Sequence, residues 1–441
     1  MAGRHFCTPY AYQVSVYFSV ICMRKKIKLF VLSITSHHLF KNSALVFVGS
    51  TAANFSGWLY HLFVGRILGP EKYAELSALF AIFYILNVIT GVLQVSLVKF
   101  FSVLKAREDY GQANALFWKV TKRVAIAEVI GLLLLYPFTP FFSGYLHINS
   151  YGYFLLVYLI FATSTITVAG GAALQGFQRF KPLAVLTNVA MFLRLITGIS
   201  GAFFGVGWTM IANIASNIGT YVFYFLSLRF IFSHKSKPIT ITKKEAVGYG
   251  IPVLLTTLGI TVLNSQDILL VKHYFTSYDA GIYASLSVLG KIIFYASSAV
   301  SFVLFPLIAE RKELGRDFRR SVFFGLTAVG TMSFGITIVY FLFPAIVVLP
   351  LGSAFTGAVP YLGWFGIFVT FYTMATLLIH MLLAMGATKI WLITIAAAFI
   401  QYILITLYHA TLYEITYVNT LVAIILCSSL FIYYRYATKN S

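Results

Sequence analysis

Residues 75–101, ELSALFAIFYILNVITGVLQVSLVKFF, carry only two charged side chains, Glu75 and Lys99, both near the ends of the stretch. The hydrocarbon core of a membrane is about 30 Å thick, and roughly 20 apolar residues are needed for a helix to cross it. The stretch is too long for a strand of a membrane barrel, and polar and apolar residues do not alternate along it. It therefore predicts a transmembrane helix.

Similar runs extend over almost the whole chain and are separated by short polar connectors. Isolated strands in lipid would leave backbone groups without hydrogen bonds, so the chain is predicted to be an all-α membrane protein. Length and hydropathy predict about twelve transmembrane helices. These spans are 42–66, 75–101, 124–142, 151–173, 183–205, 208–232, 247–271, 280–307, 321–343, 358–385, 390–410 and 416–434.

The composition excludes several other classes of protein. Of 441 residues, 60% are hydrophobic and only 10% are charged, which is too little charge for the surface of a soluble protein of this size. The net charge of +20 does not indicate nucleic-acid binding, because the basic residues lie in short connectors between apolar runs. Cys7, Cys22 and Cys427 are too widely spaced for a disulfide framework or a metal site, and no cofactor is expected.

The connectors alternate in charge along the chain. On one side of the predicted bundle they are basic, and they comprise 102–123, 174–182, 233–246, the segment 311–320, Lys389 and the tail. On the other side, called the opposite side below, they are nearly free of charge, in 143–150, 205–207, 344–357 and 411–415. Roughly 25 of the 32 basic residues fall on the first side, called the basic side below. The positive-inside rule makes this side cytoplasmic, so we expect a multi-pass protein of the cytoplasmic (plasma) membrane with both termini inside.

The connector 233–246 divides the predicted spans into six and six. Residues 65–79 and 272–286 resemble each other about 207 positions apart, with a basic residue, a short turn and a helix start rich in small residues. This pattern predicts two parallel repeats, related by a pseudo-twofold axis along the membrane normal, with a site between them. The predicted order is a cytoplasmic segment 1–41, an N-lobe 42–232, a linker 233–246, a C-lobe 247–436 and a tail 437–441.

The first 22 residues have two interpretations. Residues 10–22 are apolar, but basic residues from Arg24 onward follow them, and no small-residue cleavage site is present, so a signal for export is not indicated. Met23 is a plausible true start, which would make 1–22 foreign to the native protein. A short natural extension is the alternative.

Two hairpins carry a resemblance to a known family. Lys41-Asn42-Ser43 and then GRILGPEKY at 65–73 are similar to the first hairpin of the polysaccharide-export flippases, which commonly reads R-x-L-G-P-x-x-Y/F-G, with Ala74 here in place of the last glycine. The run 279–284, DAGIYA, matches the family's G-x-Y-A entry to the eighth span. The resemblance covers roughly residues 41–436. The superfamily also includes multidrug and toxin extrusion antiporters and the lipid II flippase. The resemblance implies a two-lobed, twelve-helix transporter that moves polyprenyl-diphosphate-linked oligosaccharides outward.

Ionisable side chains deep in lipid are costly, so they usually face a cavity or a partner. Lys291 is about twelve residues into the eighth span, and Ser287, Tyr295 and Ser298 share its face at helical spacing. Arg194 is similarly deep in the fifth span. Neither cation easily reaches the membrane surface from that depth. We expect both to line a cavity, with hydrogen bonding or an ion pair between helices as the alternative.

Further polar residues are candidates for the same cavity. Arg66 and Lys99 add cations nearer to the ends of their spans, where interfacial anchoring is the alternative. Asn54 and His61 lie on a polar face of the first span, where close helix packing is the alternative. Asn264 belongs to a polar stripe along the seventh span.

Asp267 is the only acid well inside a span of the second half. It is a candidate for binding a coupling proton or sodium ion. The alternative is an ion pair with Lys272 or a contact with a neighbouring helix.

A cavity that carries fixed cations suits an anionic headgroup, because arginine offers forked donors to diphosphate oxygens and lysine a compact charge. This agrees with the substrate that the resemblance implies, polyprenyl-diphosphate-linked oligosaccharide. H+ or Na+ and membrane lipid are the other expected partners, and the protein is expected to act as a monomer. A cation-coupled multidrug antiporter is the alternative function, although it would favour an acidic site and the first span has no acid. An enzyme is not expected, since the connectors are short and no Walker A, HExxH, CxxC or GxSxG motif is present.

Overall fold

The computed structural model describes residues 38–238, 244–313 and 319–439. In these ranges the regular structure is entirely helical, which confirms the predicted all-α class. The segment 1–22 lies outside the described residues.

Two sets of helices correspond to the two predicted halves, and every predicted span falls on one or more of them. The first half contains α1 (His38–Ala106), α2 (Tyr110–Leu135), α3 (Thr139–Leu146), α4 (Tyr151–Gly176), α5 (Phe180–Ala202), α6 (Val206–Ser227) and α7 (Arg229–Phe232). The second half contains α8 (Lys244–Leu263), α9 (Gln266–Tyr274), α10 (Ser277–Glu313), α11 (Arg319–Leu342), α12 (Pro344–Val348), α13 (Leu362–Ala384), α14 (Trp391–Leu407) and α15 (Leu412–Lys439). Short 3-10 turns lie at Tyr136–Phe138, Leu349–Leu351, Ser353–Tyr361 and Thr388–Ile390.

Helix α1 contains the first two spans, separated by a sharp break. Gly69 has φ 75° and ψ 171°, a conformation that glycine adopts readily, and Pro70 lacks the N–H group that would continue the helix. The ring centroids of Tyr60 and Phe80 are 6.2 Å apart. In a straight helix these residues would be separated by about 30 Å. The two arms therefore fold back on each other as a hairpin.

The described helices have the length and surface of membrane spans. Nine helical stretches within the described ranges are long and apolar enough to cross a membrane, and the first, Val48–Ala106, contains both arms of α1. Large apolar side chains such as Leu133 (70% exposed) and Phe399 (64% exposed) lie on the outside of the bundle. A soluble protein rarely exposes so much apolar surface, whereas lipid solvates it well.

Packing within each half is extensive. In the first half, α1 packs on α4 and α5, and α6 packs on α4 and α5. In the second half, α13 packs on α10, α11 and α15, and α14 packs on α8. Helices α1 and α10 form the main contact between the halves.

The buried core is divided differently on the two sides of the bundle. Residues of both halves, including Leu146, Val157, Tyr283 and Phe355 on the opposite side, share one hydrophobic cluster, which continues in the second half toward the basic side. On the basic side, residues of the first half such as Phe101 form a second cluster, whose members all come from that half. Among the described residues, the first half therefore joins the common core near the opposite side and has a separate core near the basic side.

Polar and ring contacts join the halves at the same place. Arg66 Nη1 donates to the carbonyl oxygen of Pro350 over 3.3 Å. The His273 ring stacks on Tyr145 with centroids 3.9 Å apart, and its Nδ1 lies 2.7 Å from the Tyr145 carbonyl oxygen. Gly281, at the start of α10, lies directly against the Pro70 backbone. The structure is therefore closed on the opposite side.

Gly281→Ala is expected to disfavour this closure, because the added Cβ would overlap the backbone of Pro70. Spin labels on Tyr151→Cys and Thr411→Cys, both exposed on the opposite side, would report the distance between the halves in a cysteine-free background. We expect longer distances in Gly281→Ala. Gly335→Ala is the matched control, since a Cβ there meets nothing within 4 Å. Identical distance distributions for the two variants would contradict a closure that depends on Gly281.

Candidate functional site

A cavity of about 100 Å³ in the second half brings together most of the predicted site residues of that half. It lies between the turn that joins α8 to α9, α9 itself, α10 and α13. Five predicted residues line it, namely Asn264, Asp267, Ser287, Lys291 and Tyr295. The remaining lining residues are mainly aromatic and apolar and comprise Gly290, Phe294, Phe365, Phe368, Val369 and Tyr372. The cavity therefore combines a cation, a carboxyl group and hydroxyl groups with aromatic walls.

Arg194, on α5 of the first half, is the second deep cation, and it lies over aromatic rings. Its guanidinium carbon lies 4.7 Å from the ring centroid of Tyr60 and 5.4 Å from that of Phe80, on the two arms of α1. Its Nε is buried and has no hydrogen-bond partner among the described residues. The aromatic faces hold the cation by their negative quadrupoles, but they leave this donor unsatisfied.

Tyr84, on the second arm of α1, lies beside Lys291. Lys291 Nζ lies 5.9 Å from the Tyr84 ring centroid. The Tyr84 hydroxyl lies 3.1 Å from Nε2 of His61, and the other ring nitrogen of His61 lies 3.2 Å from the hydroxyl of Tyr73. Lys291 interacts electrostatically with both Tyr84 and Arg194. One cation from each half therefore lies over aromatic rings of α1, and buried His61 holds Tyr84 in place by a hydrogen bond.

Asp267 belongs to a polar network inside the second half and is only 3% exposed. Its Oδ2 accepts hydrogen bonds from the Tyr283 hydroxyl over 2.7 Å and from Asn419 Nδ2 over 3.3 Å, while Oδ1 accepts from the backbone N–H of Ile268. Asn419 Oδ1 in turn accepts from Gln401 over 2.7 Å. The carboxyl group is thus held by three donors at the edge of the cavity.

Lys272 is engaged elsewhere. Its Nζ donates to Ser277 Oγ over 2.8 Å and interacts electrostatically with Glu75 of the first half. Of the two structural contacts suggested for Asp267, an ion pair with Lys272 and a contact with a neighbouring helix, the structure therefore contains the second, and binding of a coupling ion stays a prediction.

Three other predicted residues, Arg66, Lys99 and Asn54, lie apart from the cavity. Arg66 belongs to the contact with Pro350 on the opposite side, and Lys99 is exposed near the basic end of α1. Asn54 is exposed on the first arm of α1. The side chain of Ser298 lies outside the described residues. The structure thus brings Lys291, the other lining residues and Arg194 into one region of the protein, whereas Arg66 and Lys99 lie outside it.

Comparison with known proteins places the chain in a family. The sequence profile of the family described as "Polysaccharide biosynthesis protein" matches residues 126–360, which are 235 of 441 residues. The chain belongs to this family. An uncharacterised membrane protein of Methanocaldococcus jannaschii is 23% identical over 295 residues, which cover 63% of this chain and 69% of that protein.

Solved structures share the fold of this polysaccharide biosynthesis protein. The lipid II flippase MurJ in an inward closed conformation matches with a TM-score of 0.67 at 14% identity, covering 89% of this chain and 87% of MurJ. An inward-facing multidrug resistance transporter of the MATE family matches with a TM-score of 0.66 at 16% identity, covering 87% and 96%. A transporter of the same superfamily from Pyrococcus furiosus, described as having a binding pocket of reverse polarity, matches with a TM-score of 0.61 at 17% identity, covering 89% and 95%. The predicted two-lobed, twelve-helix fold is confirmed by these matches.

Several residues of the site in this family member carry no strong signal in the sequence. Tyr84 is one of 29 tyrosines, and nothing in its spacing separates it from the aromatic residues that pack between helices. Gln401 and Asn419 lie inside predicted spans, where a buried amide costs free energy unless it is hydrogen-bonded. That cost predicts, from the sequence, that such amides form hydrogen bonds with one another.

Tyr283→Phe is expected to destabilise the protein by about 1–3 kcal/mol, because it removes the hydroxyl that donates to Asp267 and leaves a buried acceptor poorly satisfied. Tyr436→Phe is the control, since Tyr436 is exposed and its change should cost less than about 0.5 kcal/mol. Unfolding of the purified protein in detergent, followed with temperature or denaturant, measures both. Equal stabilities of the two variants would contradict the network as described.

Proposed function

We propose that the protein is a flippase that moves polyprenyl-diphosphate-linked oligosaccharide from the cytoplasmic to the outer leaflet for the synthesis of a cell-surface polysaccharide. The observation that supports this most directly is that Arg194 and Lys291, from opposite halves, both lie over aromatic rings of α1 and interact electrostatically with each other. A diphosphate between them would contact both halves at once.

The chemistry of the two cations fits a diphosphate. The guanidinium of Arg194 has a buried Nε donor without a partner, and phosphate oxygens are strong acceptors for such a donor. Lys291 supplies a compact charge at the edge of the cavity of about 100 Å³. Since a water molecule occupies about 30 Å³ of liquid, this cavity has room for part of a headgroup and not for a chain of sugars. The sugars would lie in the space between the halves on the basic side.

Alternating access explains how the barrier to flipping is removed. Sugar hydroxyls cannot cross hydrocarbon unaided, because each would lose its hydrogen bonds to water. Between two lobes they keep polar surroundings, while the prenyl tail remains in lipid. The closed contact on the opposite side fits a state that receives substrate from the cytoplasm, and rocking of the lobes would then release it outward. We propose that the protein works as a monomer in the cytoplasmic membrane.

The first test follows a fluorescent polyprenyl-diphosphate oligosaccharide in reconstituted vesicles, with an enzyme that reaches only the outer leaflet. Arg194→Gln and Lys291→Gln should each slow the movement about tenfold or more, because each removes a charge-assisted contact worth about 1.5–3 kcal/mol. The matched controls are Arg179→Gln, whose guanidinium lies over Phe230 on the basic side, and Lys181→Gln, which is exposed there. Both controls should retain the wild-type rate.

Two results would count against the proposal. If wild type moves the lipid and the four variants behave alike, the cationic centre does not bind the headgroup. If wild type leaves the lipid in place but expels organic cations down an ion gradient, the protein is an antiporter for drugs.

We further propose that Asp267 binds the coupling proton or sodium ion. It lines the same cavity as Lys291 and accepts hydrogen bonds from side chains on two other helices. A change in the charge of its carboxyl group would therefore alter its hydrogen bonds to both helices. Asp267→Asn should leave lipid movement measurable but remove its dependence on an imposed proton or sodium gradient. Glu414→Gln, a half-buried acid of the same half that accepts a hydrogen bond from the Ala410 N–H, is the control and should keep that dependence. An unchanged response of Asp267→Asn to both gradients would exclude this role.

A further inference from the structure

A second large groove lies on the lipid-facing surface, far along the bundle from the central site. It has a volume of about 430 Å³ and lies between the end of α15 and the start of α11, on the basic side. Arg319 and Arg435 stand at its mouth, and Phe323, Leu326, Phe431 and Tyr434 supply most of its wall. We call this the α11–α15 groove.

The wall of the α11–α15 groove requires an apolar occupant. Phe323 is 73% exposed and Phe431 is 42% exposed, and both lie on helices that cross the membrane. Water in such a groove would lose hydrogen bonds without replacement. An acyl chain of a neighbouring lipid is the apolar molecule present at that depth.

The mouth of the groove adds a preference for negative charge. Arg319 Nη2 donates to the Thr438 carbonyl oxygen over 2.7 Å, which fixes the guanidinium beside the last turn of α15. The guanidinium carbon of Arg435 lies 5.8 Å from the Phe431 ring centroid, and both arginine side chains are exposed. The described residues that line the groove include no acidic side chain. Two fixed cations directly above an apolar wall match a phosphate headgroup above an acyl chain.

We propose that the α11–α15 groove binds an anionic phospholipid from the leaflet on the basic side. A zwitterionic lipid has the same phosphate, but its headgroup cation would be repelled by the two arginines. Each basic residue near an anionic lipid surface contributes about 1 kcal/mol, which corresponds to about a fivefold preference per arginine. The groove uses none of the residues of the central site, so it is independent of the proposed flippase activity.

Native mass spectrometry of the full-length protein in neutral detergent tests this site. Phosphatidylglycerol and phosphatidylcholine with identical acyl chains would be titrated separately, and the lipid-bound fractions compared. Wild type should bind phosphatidylglycerol at least about fivefold more tightly. Arg435→Gln should lose about fivefold in phosphatidylglycerol affinity and little in phosphatidylcholine affinity.

The control is Arg320→Gln, which removes an exposed charge at the same end of α11 but outside the groove lining, and which should keep the wild-type preference. Leu326→Trp keeps both arginines and fills the groove, so it should weaken binding of both lipids. Thermal unfolding of each variant verifies that it is folded.

Three results would overturn the proposal. The first is equal binding of the two lipids by wild type, and the second is a preference unchanged in Arg435→Gln. The third is full competition by glycerophosphoglycerol, which has no acyl chains and would indicate a site for the headgroup alone.

Discussion

The structure depends on how it accommodates positive charge in the middle of a membrane. Removing an arginine or lysine from water costs several kcal/mol even after relaxation. Contact of the cation with an aromatic face offsets about 0.5–2 kcal/mol of this cost. Arg194 has two such faces and Lys291 has one, at centroid distances of 4.7–5.9 Å. These contacts leave much of the cost uncompensated, so an anion that enters the centre gains the difference. This uncompensated cost is the physical basis for the proposal that the site binds a diphosphate.

The two halves contribute to this centre in different ways. In the second half, the carboxyl group of Asp267 and the amides of Asn419 and Gln401 form a chain of hydrogen bonds through α9, α14 and α15. Such a fully bonded network fixes the helices around the cavity in one arrangement. In the first half, Arg194 lies over the rings of Tyr60 and Phe80, and its buried Nε has no hydrogen-bond partner among the described residues. A substrate would therefore meet a fully bonded wall on one side and a cation with an unsatisfied donor on the other.

The helices and the deep charged residues could be predicted from the sequence, because the membrane constrains both. Each span must be long and apolar, so α4 or α13 is visible without any knowledge of its neighbours. An ionisable residue inside a span is equally conspicuous, which is why Lys291, Arg194 and Asp267 were identified. Partners were harder to predict, because the contact of Tyr84 with Lys291 joins residues 207 positions apart on two different helices. Arg66 was a candidate for the cavity because of its charge and its place in the family motif, with interfacial anchoring as the alternative, but the break at Gly69 directs its end of the helix toward Pro350.

The break at Gly69 also explains why two similar stretches occur in the sequence. In a fold with two parallel repeats, equivalent elements face each other across the axis between them. The turn that contains Pro70 and the start of α10 at Gly281 are the corresponding parts of residues 65–79 and 272–286, and they are in direct contact. Small residues are needed there because two backbones meet with no room for a side chain. The same repeat that makes the sequence recognisable therefore also supplies a contact that would have to open in the proposed rocking of the halves.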